Sequence, residues 1–103
     1  MKDDFISYLH SEEVKADDEH VHRVEFTGEV RLREVHFDAS GEFRLELRMH
    51  GKPFLVHFLA PRFGYRKVSF QQIFHPGDSF EIRLMNRWRG RQDMYSTFIG
   101  ELM

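Results

Sequence analysis

Residues 43–49, Phe43-Arg44-Leu45-Glu46-Leu47-Arg48-Met49, alternate apolar and charged side chains without a break. A period of two sends one set of side chains into a core and the other into water, so the stretch predicts a half-buried β-strand. Turn chemistry bounds it on both sides: Asp38-Ala39-Ser40-Gly41 precedes it and His50-Gly51-Lys52 follows. Next comes Pro53, suited to a strand start, and then residues 54–60 (FLVHFLA), apolar almost throughout, as in a strand covered on both faces. Upstream, Val24, Phe26, Val30 and Leu32 hold even positions, whereas Val35 and Phe37 hold odd ones, and Gly28 lies within the run. One long strand with a bulge or bend accounts for that switch of parity.

Downstream, Pro61 and Gly64 open a loop, and residues 68–74 (VSFQQIF) fit about two helical turns with Phe70, Ile73 and Phe74 inward. Pro76-Gly77-Asp78 ends that segment. Phe80, Ile82 and Leu84 alternate in a fourth strand, Arg87 to Asp93 reads as a polar loop, and residues 94–103 form a fifth strand with Tyr95, Thr97 and Ile99 on one face. At the other end, residues 3–16 put Phe5, Ile6 and Leu9 on one side of a short helix capped by Asp3 or Asp4, and residues 17–20 read as a solvated linker. The expected core is Phe43, Leu45, Leu47, Val56, Phe58, Phe80, Ile82 and Leu84. This order predicts an all-β fold with one or two short helices: a five-stranded Greek-key OB-type barrel over 21–103, behind an acidic helix and linker over 1–20. A plain antiparallel sandwich is the competing architecture.

The 103 residues, 41% of them hydrophobic and 31% charged, suffice for one domain with a modest core. No apolar run approaches the ~20 residues of a membrane-spanning helix, and the start, Met1-Lys2-Asp3-Asp4, lacks the features of a secretory signal, so a soluble protein without membrane contact is expected. Cysteine is absent, which agrees with a cytoplasmic location and excludes a disulfide framework or a thiol nucleophile. The net charge of −2 conceals an asymmetry: residues 1–20 carry two bases and seven acids, and the remainder 13 bases and 10 acids. The basic excess is densest between Arg62 and Arg91.

Gly28-Glu29-Val30, Val35-His36-Phe37, Gly41-Glu42-Phe43, Leu55-Val56-His57-Phe58, Pro76-Gly77-Asp78-Ser79-Phe80-Glu81-Ile82 and Gly90-Arg91 resemble, in order and spacing, the S-one RNA-binding repeat, an OB-fold family. The resemblance covers residues 26–102. It implies a single-stranded RNA surface made of Phe37 and Phe43, His57, Asn86 and Arg91, with Asn86 standing where the family carries an acid. Stacking of an aromatic face on an unpaired base is worth roughly 1–3 kcal/mol, and Arg and His supply phosphate and base-edge contacts. The residues themselves add Arg87, Trp88 and Arg89, a cationic loop around the only Trp, and Tyr65, Arg66 and Lys67, a second mixture of rings and cations. Against this, Phe43 shares its face with Leu45, Leu47 and Met49, as a core residue does.

The expected function is therefore a non-enzymatic nucleic-acid-binding module for single-stranded RNA or single-stranded DNA. A protein-interaction or oligomerising barrel, docking through the amino-terminal helix, is the alternative. A cyclic-dinucleotide-binding PilZ-like barrel ranks lower, because the turn at Asp38-Ala39-Ser40-Gly41 brings its glycine two residues early and each Arg-x-x-x-Arg follows the turn instead of preceding it. No metal or cofactor is expected: His20-Val21-His22 with Asp18 nearby offers two imidazoles without a fixed third ligand. Ser40, Ser69 and Ser96 lie in no nucleophile motif, so no catalytic residue is assigned.

Overall fold

A computed structural model describes residues 4–50, 52–59 and 65–103, with side chains for all of these except 54–59, 65 and 70. The described chain is all β. Eight strands follow in order: β1 (Asp4–Val14), β2 (Glu19–Glu25), β3 (Val30–Ala39), β4 (Phe43–Met49), β5 (Lys52–Leu59), β6 (Tyr65–Phe74), β7 (Ser79–Asn86) and β8 (Gln92–Leu102). They make two four-stranded sheets, β1-β8-β3-β6 and β2-β7-β4-β5. Every neighbouring pair is antiparallel. With successive strands passing mostly from one sheet to the other, this is the double Greek-key order of an eight-stranded jelly roll.

The core lies between the sheets and follows from the alternation in each strand. Phe43, Leu45 and Leu47 of β4, Phe80, Ile82 and Leu84 of β7, Val30, Leu32, Val35 and Phe37 of β3, and Met94 and Phe98 of β8 are all buried. Aromatic rings run through it in sequence: Phe26 against Phe74 at 4.7 Å, Phe74 edge-on to Phe80 at 5.6 Å, and Phe80 edge-on to Phe98 at 5.2 Å. Each such ring withdraws apolar area worth about 1.5–3 kcal/mol from water. The polar partners of the alternation point outward, where Arg83 lies 3.1 Å from Glu81 and 3.4 Å from Glu19, and Arg48 lies 3.2 Å from Glu46.

Several expectations are corrected. The closed five-stranded OB barrel is replaced by two facing sheets, and no helix occurs among the described residues. The acidic helix over 3–16 is the edge strand β1. Phe5, Ser7, Leu9 and Ser11 make its inner face, and those serines satisfy partners on other strands, so the inner face carried no continuous apolar signal. The linker at 17–20 shrinks to a turn, because β2 begins at Glu19. The helix over 68–74 is part of β6. Its spacing also fits period two, and the open edge of β3 supplies a full ladder of backbone partners from Val30↔Phe74 to Asp38↔Tyr65.

The single long strand from Val24 is two strands with Gly28 in the turn between them. Its bulge is present, however: register shifts between Leu32 and Glu34 on both sides of β3, where the apolar parity changes. Opposite that bulge, Gly100 is required, because a Cβ there would lie 2.5 Å from the Arg31 carbonyl oxygen. Of the expected core, Val56 and Phe58 lie outside the described side chains.

Candidate functional site

Among the described residues expected to bind nucleic acid, Phe37, Phe43 and Asn86 are buried and offer no surface to a ligand. Phe37 and Phe43 are both buried and pack edge-on against each other at 5.9 Å, so neither ring is open to a base. The side chains of His57 and Tyr65 fall outside the described set, as does Phe63. Arg66 and Lys67 lie on β6 opposite Phe37 and His36, with Lys67 3.9 Å from Glu34.

Asn86 is fully buried at the end of β7 and organises the loop that follows. Its amide nitrogen donates to the carbonyls of Val14 at 2.8 Å and Gly90 at 2.9 Å. Its oxygen accepts from the backbone N–H of Trp88 at 2.8 Å and from Gln92 Nε2 at 2.7 Å. The loop so held presents Arg87, Trp88, Arg89 and Arg91 at one end of the sandwich. Trp88 lies across Gly41, whose Cβ would come 2.7 Å from the indole, and remains 38% exposed. The Arg89 guanidinium stands 5.5 Å from the centre of that ring. The acidic segment takes part of this charge: Arg87 lies 3.4 Å from Asp17 and Arg91 4.0 Å from Glu13.

A second surface was not singled out from the sequence. On the outer face of the β1-β8-β3-β6 sheet, pairing sets His10 opposite Tyr95 and Tyr95 opposite Asp38, then Tyr8 opposite Thr97 and Thr97 opposite His36. His10 stacks on Tyr95 at 4.3 Å with ring planes 9° apart, and Tyr8 follows at 6.5 Å. Tyr8 is 60% exposed and Ile6, beyond it, 66%. A depression of about 350 Å3 lies between Tyr8, Tyr95, His36 and Asp38, and a cleft of about 440 Å3 adjoins it at Asp38 and Tyr95, edged by Glu13, Asp93, Ser40 and Arg91. The Tyr95 phenol is held above its ordinary range, first by loss of solvent and then by the charge of Asp93 and the neighbouring Tyr8 and Asp38. The available signal was Ile6-Ser7-Tyr8 read with period two, which puts Tyr8 on the face opposite Phe5.

His20 and His22 point into the sandwich, where serine hydroxyls occupy their ring nitrogens. Among the described residues no three His, Asp or Glu side chains converge as a metal site, and no helix is long and apolar enough to cross a membrane.

No protein-family model matches the chain, and no curated protein does. Solved structures share its fold. The GH26-CBM35 β-(1,4)-mannanase of Podospora anserina aligns over 95% of this chain and 28% of its own, with TM-score 0.56 and 10% identity. The nucleoplasmin-like N-terminal domain of Drosophila FKBP39 aligns over 96% and 88%, with TM-score 0.52 and 15% identity. The CBM36-1 domain of a xylanase from the hindgut metagenome of Trinervitermes trinervoides aligns over 96% of both chains, with TM-score 0.50 and 10% identity. At these identities the likeness is one of fold.

Proposed function

We propose that the protein is a non-enzymatic binding module that takes a neutral glycan chain on the outer face of the β1-β8-β3-β6 sheet. The observation that carries this reading is the aromatic strip of Tyr8, which is exposed, and Tyr95 and His10, which are half-buried, flanked by Asp38, His36 and Thr97. The C–H face of a sugar ring packs on such rings, while its hydroxyls find donors and acceptors beside them. Local charge selects the class of ligand: the adjoining cleft has Glu13, Asp38 and Asp93 against Arg91 alone, which disfavours a polyphosphate and accepts a neutral polyol. The fold is shared with the CBM36-1 domain of a xylanase and with part of a GH26-CBM35 mannanase.

Calorimetric titration with neutral xylo- and manno-oligosaccharides tests the reading. Binding is expected at pH 7, weakened about tenfold, or about 1.4 kcal/mol, by Tyr8→Ala and by Tyr95→Ala alike. Absence of binding to any neutral oligosaccharide, or binding indifferent to both substitutions, refutes it.

A second reading, single-stranded nucleic acid on the Arg87–Arg91 loop, is favoured by exposed Trp88 with Arg89 above its ring. Its strength is limited by the acids facing Arg87 and Arg91. Retention of single-stranded RNA that replacing Arg87, Arg89 and Arg91 by Ala abolishes, with a slope of log affinity on log salt of roughly −0.7 per contact, would establish it.

A further inference from the structure

Behind the aromatic strip, the two sheets are joined by a polar chain. The Ser11 hydroxyl lies 2.7 Å from His20 Nδ1, and His20 Nε2 lies 2.7 Å from the Ser96 hydroxyl. That hydroxyl lies 2.8 Å from His22 Nδ1, and His22 Nε2 lies 2.8 Å from the Ser7 hydroxyl. Five side chains from three strands thus make four contacts, all consistent with one direction of donation: Ser11 to His20, His20 to Ser96, Ser96 to His22, His22 to Ser7. Each neutral imidazole then gives one hydrogen bond and accepts one, in this direction or its reverse. The chain crosses from β1 and β8 of one sheet to β2 of the other.

We propose that the His20–His22 pair is an acid-sensitive latch, whose protonation frees β1 from β2 and so takes apart the ligand face on the other side of β1. Ser7 and Ser11 alternate along β1 with Tyr8 and His10, so the strand the latch holds is the strand that carries two of the three rings of the aromatic strip.

The surroundings explain the sensitivity. The groups facing the imidazoles are Ser7 and Ser11 of β1, Ser96 and Phe98 of β8, and Ile82 and Leu84 beside them on β7; His10 is the further titratable group whose charge acts on His20. None of these is an anion. With both rings charged, two cations would donate to the one Ser96 oxygen, whose own proton then has no acceptor in the chain. Burial, and after it the neighbouring His22 and His10, lowers His20 to about 4, and burial lowers His22 as well. An unfolded or opened chain titrates near 6.5, so acid favours the opened form between those values.

The functional half of this inference rests on the glycan reading; the latch itself does not, and hydrogen exchange separates them. Exchange of residues 4–14 is compared with that of residues 43–49 at pH 7 and pH 5, after correction for the intrinsic pH dependence of exchange. Protection of 4–14 is expected to fall about tenfold or more at pH 5 while 43–49 stays protected, and oligosaccharide affinity to fall with it. In the H20Q/H22Q variant the differential should vanish. If that variant does not fold, imidazole NMR titration of the wild-type chain decides: release of β1 should coincide with protonation of His20 and His22. Equal protection of the two segments at both pH values, or release while both rings stay neutral, overturns the latch. Loss of β1 protection in a protein that binds no sugar at pH 7 upholds the latch and sinks the glycan reading instead.

Discussion

Replacing Asn86 is the sharpest test of how the loop end is built. The Ala variant removes four hydrogen bonds at once. Two of the abandoned partners, the Trp88 N–H and the Gly90 carbonyl, belong to residues in partial contact with solvent and regain water. The other two belong to buried residues: Gln92 Nε2 keeps its hydrogen bond to the Glu42 carbonyl at 3.1 Å, whereas the Val14 carbonyl loses its amide donor. An unsatisfied buried polar group costs about 1–3 kcal/mol, so Asn86→Ala should lose about 2 kcal/mol. In a domain of this size that lowers Tm by about 10 °C. Asn86→Asp should be worse at neutral pH, because a carboxylate can accept from Trp88 and Gln92 but turns an oxygen toward the carbonyls of Val14 and Gly90. That repulsion raises the folded-state pKa of the introduced acid above its unfolded value, so the variant is weakest at high pH and regains stability as pH falls through the raised value. Urea unfolding followed by the emission of Trp88, at pH 7 and at lower pH, reads both effects. A loss below about 1 kcal/mol for the Ala variant, or an Asp variant as stable as wild type at pH 7, would refute the hub.

Three further outcomes are expected. Acidifying the wild-type protein should reduce its unfolding free energy: His20, near 4 when folded and 6.5 when not, contributes stability that is complete above pH 6.5 and lost toward pH 4, about 3 kcal/mol in all. Denaturant midpoints at half-unit pH steps measure that slope, which H20Q should flatten. Gly100→Ala drives a Cβ into the Arg31 carbonyl and should cost at least about 3 kcal/mol or prevent folding, read by circular dichroism and yield of soluble protein. Gly41→Ala should push Trp88 off the end of the sandwich, red-shifting its emission for about 1–2 kcal/mol, because the clash reaches its Cβ and Cγ, near the root of the side chain.

Where a strand's inner face is wholly apolar, its place could be read from its own residues. Residues 43–49 and 80–84 alternate strictly, and both form strands with the expected side buried. The switch of parity between Leu32 and Val35 likewise announced the bulge that β3 contains. Period two is a local code, and burial of one face enforces it. Where the inner face is polar, or period two competes with a helical spacing, the local code fails. Ser7 and Ser11 face inward because His22 and His20 meet them there, and residues 68–74 are extended because β3 offers its edge. Closure into a barrel or division into two sheets was equally undetermined by local pattern, since it depends on which strands pair across the chain. The same holds for the candidate site. Arg87 to Arg91 were visible as a cationic loop, but not that Asp17 and Glu13 would stand against two of them. Tyr8 and Tyr95 come from opposite ends of the chain, and only the antiparallel pairing of β1 with β8 sets them side by side. Sequence by itself determined which residues can alternate and so be half buried. Tertiary structure decided which polar groups find partners inside and which rings share a surface, because both depend on contacts between strands remote in sequence.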